Sequence, residues 1–158
     1  MRATVQSYMT PTPHTIGAGQ PVTTAREMMR TYGVRHLPVL EQGRFVGMLT
    51  EHDLDRLERQ PEVEPSLTPV RDAMTDEPCC CFDTDAPLEL VLRTMASRKL
   101  DAVLLLEEGL VKGIFTATDA EQALAQSLRS MQTMTPMHSL HPGDEAPTST
   151  RWGHVITR

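Results

Sequence analysis

The chain has 158 residues, of which 39% are hydrophobic, 23% charged and 4% aromatic, with a formal net charge of −6 and a pI near 5.5. That length holds one compact domain or two small repeats sharing a core, and the composition excludes disorder throughout. The acidic balance argues against duplex nucleic acid as a main partner. The opening "MRATVQSYMTPTP" lacks a signal peptide's apolar run and no stretch approaches the ~20 apolar residues of a membrane span, so a cytoplasmic protein without a membrane span is expected.

The first predicted element is a short strand ahead of the first helix. "TAREMMRTYG" then reads as a helix. Thr24 stands three residues before Glu27, a capping-box spacing, and Gly33 is a C-terminal stop. Val22, Ala25, Met29 and Tyr32 fall on one face, the stripe of a helix packed on a sheet. "HLPVL", the turn "EQG" and "RFVGML" read as a hairpin, after which Thr50 starts a second helix that Pro61 ends. "RQPEVEPSLTP", residues 59–69, holds three prolines and no helical stripe, and reads as a connector.

The order then repeats. The consecutive Cys79, Cys80 and Cys81 read as strand; their spacing suits neither a zinc site nor a disulfide framework, and small buried apolar side chains describe them better than redox or metal chemistry. Leu88, Val91, Leu92 and Met95 form the helical stripe, "AVLLL" and "LVKGIF" flank the turn "EEG", and a helix begins near Ala117. "GMLTEHD" at 47–53 and "GIFTATD" at 113–119 share Gly, Thr and Asp at a constant offset, since 113 − 47, 116 − 50 and 119 − 53 all equal 66. Pro21 and Pro87, Met29 and Met95, and Gly43 and Gly109 keep the same offset, whereas "MTPTP" at 9–13 meets "MTDEP" at 74–78 at 65. This is an internal duplication. A copy of some 50 residues buries too little apolar surface to stand alone, so the expected fold is α/β: two β-α-β-β-α repeats packed with pseudo-twofold symmetry and a ligand cleft between them. The divisions are 1–61 for the first repeat, 62–71 for a linker, 72–129 for the second and 130–158 for a tail that imitates the start of a third. In the tail, Trp152 is the expected anchor, whether the segment closes over the module or meets a partner, and His138, His141 and His154 lack regular metal-ligand spacing.

"MTPTPHTI", "VRHLPVL" and "GRFVGMLTEHDL" resemble the tandem cystathionine-beta-synthase (CBS) domain pair, or Bateman module, and the two copies cover roughly residues 8–128. The resemblance implies a disc formed by two such pairs. It also implies regulatory rather than catalytic work, and clefts that take AMP, ADP, ATP or S-adenosylmethionine as regulatory ligand with no cofactor.

Thr50 with Asp53, and Thr116 with Asp119, have two readings on residue grounds. They fit a capping box, the better reading of either pair taken alone, and through their recurrence in both copies they also fit a nucleoside-phosphate reader in which helix N–H groups meet phosphate and the carboxylate takes ribose hydroxyls. The resemblance assigns these positions the second role. For the base it implies Thr15, Ile16, Leu37 and Pro38 in one copy and Cys80, Cys81, Ala102 and Val103 in the other. Arg35 with His36, and Arg98 with Lys99, stand just ahead of the hairpins as candidate phosphate cations, or else as solvated surface charge. The second copy lacks the proline of "RHLPVL" and puts Asp101 where a cation would help, which favours fewer phosphates or a sulfonium there. In the resembling family phosphates at one copy's Asp lean towards the other copy's cations, so Asp119 is expected to share Arg35 and His36. Two functions follow: an adenosine-ligand sensor of energy or metabolite state that signals to a partner, or a ligand-independent homodimeric module docking on an enzyme or transporter. A catalytic reading lacks an identifiable base and orienting group.

Overall fold

The computed structural model describes residues 3–76 and 81–133. The first half holds β2 (Ile16–Gly17), α1 (Val22–Tyr32), β3 (His36–Glu41), β4 (Arg44–Thr50) and α2 (Glu51–Glu58); β1 (Thr10–Pro11) precedes it. The second half holds β5 (Cys81–Asp83), α3 (Leu88–Arg98), β6 (Ala102–Glu107), β7 (Leu110–Thr116) and α4 (Ala117–Thr133). In each half a strand pairs parallel with the first arm of an antiparallel hairpin, giving the sheet β2-β3-β4 and the sheet β1-β7-β6-β5. The expected strand, helix, strand, strand, helix order is therefore present twice.

The hairpins turn through Gln42-Gly43 and Glu108-Gly109, four residues all at positive φ, as a two-residue turn matched to strand twist requires. Helix α1 closes on Gly33 at φ 64°, the expected left-handed stop; α3 closes the same way on Lys99 at φ 55°. The start of α1 departs from expectation. It begins at Val22 behind Pro21, with no side-chain cap, so Thr24 and Glu27 lie inside the first turns and form no capping box. A proline fixed at φ −68° sets the entry instead. Val22, Ala25 and Met29 are buried as the stripe predicts, but Tyr32 is 50% exposed and stacks on His14, ring centroids 3.7 Å apart.

The leading segment of each copy packs on the other half. β1 pairs with β7, with Thr10 opposite Ile114; one copy along, Thr75 and Met48 exchange two backbone hydrogen bonds of 2.9 and 3.1 Å. Val5 is buried with Val91, Met95 and Phe115 of the second half, while Val70 and Ala73 join Val22, Leu37 and Leu54 of the first. The backbone repeats the exchange: Val70 N–H donates to Gln20 O at 2.8 Å and Val5 N–H to Ala86 O at 2.9 Å. The sequence copies and the packed halves are thus different units.

The two glycines that open the repeated stretches are explained by this crossing. A Cβ on Gly47 would lie 2.8 Å from Met74 Sδ and 2.9 Å from the Thr75 carbonyl, and one on Gly113 would collide with Met9 Sδ. Each glycine admits the methionine that opens the other copy. Along β6 the side chains alternate: Val103 and Leu105 face the helices of their own half, whereas Ala102 and Leu104 meet Met48 and Ile114 in a third cluster where the two sheets face. Among the described residues no helix is long and apolar enough to cross a membrane.

Candidate functional site

A cleft of about 850 Å³ opens between the halves. Its walls are the segment Thr10–His14, the turn Gly33–His36, the junction of β4 and α2 (Thr50–His52), Asp101 and Ile114, and the junction of β7 and α4 (Thr116–Asp119). Two helix N-termini therefore border one cavity, each offering free N–H groups and positive dipole potential. Their backbones are anchored alike: Glu51 N–H donates to Arg35 O and Ala117 N–H to Asp101 O, both at 2.9 Å.

Both Thr/Asp pairs are capping boxes, and they differ in what the carboxylate has left to offer. Asp53 Oδ2 accepts from Thr50 N at 2.9 Å and Oγ1 at 2.7 Å, and Oδ1 accepts from Arg56 Nη2 at 3.2 Å. Asp53 is 6% exposed and does not line the cleft. Asp119 Oδ2 accepts from Thr116 N at 2.8 Å and Oγ1 at 2.9 Å, while Oδ1 has no donor among the described residues. Asp119 is half-buried and on the cleft wall. A carboxylate held by its cap with one oxygen free suits the acceptance of ribose hydroxyls.

The cleft brings Thr50, Thr116, Asp119, Arg35 and His36 together, so Asp119 shares one cavity with the first copy's Arg35 and His36. Burial holds the His36 imidazole below its ordinary pKa; Asp101 opposes this, Arg35 reinforces it and Asp53 opposes it. Asp101 lines the same cleft as Asp119. Ile16, Leu37 and Val103 are core side chains; Pro38 and Ala102 are buried in their strands; Thr15 lies just before β2. None of these six lines the cleft. Arg98 ends α3 and Lys99 caps it in the left-handed conformation, away from this cavity. Cys81 starts β5 opposite Leu104, and Cys80 lies outside the described residues, as do Cys79, His138, His141, Trp152 and His154.

Sequence reasoning missed the segment Thr10–His14, which reaches the cleft because β1 crosses to β7. The repeated "MT" was the available signal. A second hollow of about 470 Å³, beside Phe82, Asp83, Asp85 and Leu90, contains no basic residue.

The family model described as "CBS domain" matches the chain twice, over residues 5–59 and 70–126. The CBS domain-containing protein YhcV of Bacillus subtilis is 26% identical over 117 residues, covering 74% of this chain and 82% of YhcV. An uncharacterized conserved protein from Pyrococcus horikoshii superposes with a TM-score of 0.69 at 31% identity, covering 78% of this chain and 93% of its own. The crystal structure of CBSX2 in complex with AMP gives a TM-score of 0.71 at 24% identity, covering 80% and 99%. With both copies matched and the paired architecture in place, the chain belongs to the CBS-domain family, as a tandem pair of its repeats.

Proposed function

We propose that this CBS pair is a regulatory module that binds an adenosine-containing ligand in the Asp119 cleft and passes its occupancy to a protein partner. The observation that carries the reading is the Asp119 carboxylate at the N-terminus of α4, with no donor to Oδ1 among the described residues, in one open cavity with Arg35 and His36. The AMP complex of CBSX2 supports the choice of ligand class. The repeat-related position, with Thr50 and Asp53, Arg98 and Lys99, and Cys80 and Cys81, is proposed as the weaker of two sites, because the Asp53 carboxylate is already committed to Thr50 and Arg56. Signalling works through differential affinity: a ligand that touches both halves favours one of their relative arrangements, and a partner reads the shift. The module is proposed to act in the cytoplasm as a homodimer, without chemistry of its own.

A thermal-shift and calorimetry panel with AMP, ADP, ATP, S-adenosylmethionine and NAD, with guanine nucleotides as control, tests the reading. A ligand at a hundred times its dissociation constant adds about 2.7 kcal/mol to the folded state, so one adenine compound should raise melting clearly. No shift with any of them at millimolar concentration would leave the second reading, a ligand-independent interaction module. That reading is favoured by the exposed Leu124 and Leu128 on α4.

A further inference from the structure

The cleft walls carry an unbalanced set of charges. Arg35 is their one Lys or Arg, against Glu51, Asp101 and Asp119, which gives a formal charge of 1 − 3 = −2 with its histidines neutral. The imbalance arises at repeat-equivalent places. Arg35 and Asp101 are 66 residues apart, and each carbonyl accepts the first N–H of the helix that follows its hairpin. A faithful second copy would therefore put a second guanidinium here, and the chain has a carboxylate. Glu51 likewise stands where the second copy has Ala117.

The Asp101 carboxylate acts on the neighbouring His36 only through its charge. It makes no hydrogen bond or ion pair with any described residue, and it is exposed on the cleft wall. Arg35 is equally without an ion pair among the described residues. Two charges of opposite sign, neither held in an ion pair among the described residues, thus border one cavity. A ligand with one phosphate can use Arg35 and the helix N-termini, whereas each further phosphate adds negative charge to walls that already carry three carboxylates.

We propose that Asp101 sets a charge limit on the ligand, so that the cleft accepts an adenosine compound with at most one phosphate and discriminates against the diphosphate and triphosphate. This rests on the adenosine reading and adds its charge class. Interaction of two like charges about 4 Å apart is worth about 1 kcal/mol even at the dielectric constant of water, and a 1.4 kcal/mol difference is tenfold, so one carboxylate suffices to reorder ligands.

Calorimetry in EDTA-containing buffer at low ionic strength, with adenosine, AMP, ADP and ATP, tests it on the wild type, Asp101→Asn and Asp101→Arg. The wild type should rank AMP above ADP above ATP. Asp101→Asn should raise ATP affinity about fivefold or more, AMP affinity less and adenosine affinity not at all, and Asp101→Arg should extend the same trend. Tighter binding of ATP than AMP by the wild type, or an equal gain for uncharged adenosine, overturns the charge limit while leaving the adenosine reading intact. Failure of every ligand, adenosine included, overturns that reading and the limit with it.

Discussion

At the scale of single residues, the two aspartates show how one motif acquires two duties. Both cap a helix, and removing a cap costs about 1 kcal/mol. Asp53→Ala should lower melting more than Asp119→Ala, because it also leaves a hole in the fold and frees Arg56 from its buried partner. Asp119→Ala should lose about tenfold to a hundredfold in affinity for the cognate ligand, the equivalent of ~1.5–3 kcal/mol of charged hydrogen bonds. Melting curves and calorimetry on both variants separate the two; equal losses of affinity would remove the distinction. His36 supplies a pH dependence. Burial lowers its pKa, so below the ordinary value of about 6.5 the unfolded chain takes up a proton that the native state does not. Its contribution is unpenalised above that value, and stability falls as pH drops through the window, levelling below the folded-state pKa. Melting of His36→Asn between pH 8 and 5 should therefore decline less steeply than wild type, and parallel curves would refute the assignment.

Among elements, the crossing of the leading segments is the feature that binds the halves into one fold, and the two glycines report on it. Gly47→Ala should destabilise by about 1–3 kcal/mol, as overpacking does, because its Cβ would press on the Thr75 carbonyl as well as on Met74. Gly113→Ala should cost less, since only the flexible Met9 side chain must give way, and adding Met9→Ala should recover most of that loss in a double-mutant cycle. Equal costs at the two glycines would count against this packing. The internal repeat made the strand and helix order legible from sequence, because periodicity and turn residues are local signals. The crossing was not legible: β1 is two residues long, has no hydrophobic alternation of its own, and is held by pairing with a strand about a hundred positions away. The site was legible in part. Thr116 and Asp119 stand out by their repeated spacing and Arg35 and His36 by their basic side chains, and all four line the candidate cleft; Ile16, Leu37 and Val103, which only the resemblance implies, pack as core side chains. Tyr32 had the right helical phase for the core, yet it sits in the last residue of α1, where His14 offers a stacking partner at the surface.

For the whole molecule, the question is what covers α4. This helix has 17 residues against 8 in α2, and of its side chains only Ala123 is fully buried. Leu124 and Leu128, 61% and 52% exposed, stand one turn apart on the same face. Apolar side chains aligned in this way lose free energy in water and regain it when buried, about 1.5–3 kcal/mol for each leucine fully covered. A second copy provides a matching surface automatically, since a twofold axis brings the same stripe against itself. The protein should accordingly have a dimer mass by light scattering at tens of micromolar. Leu124→Glu with Leu128→Glu should shift it to the monomer while leaving the adenosine cleft intact, because neither residue borders that cavity. The ligand panel repeated on this double variant then distinguishes two architectures. Unchanged affinity places the whole binding site within one chain, whereas a loss of binding together with the dimer would mean that the disc, and not the single pair, is the unit that reads the ligand. A monomeric wild type would remove the dimer altogether and leave the α4 face to another protein.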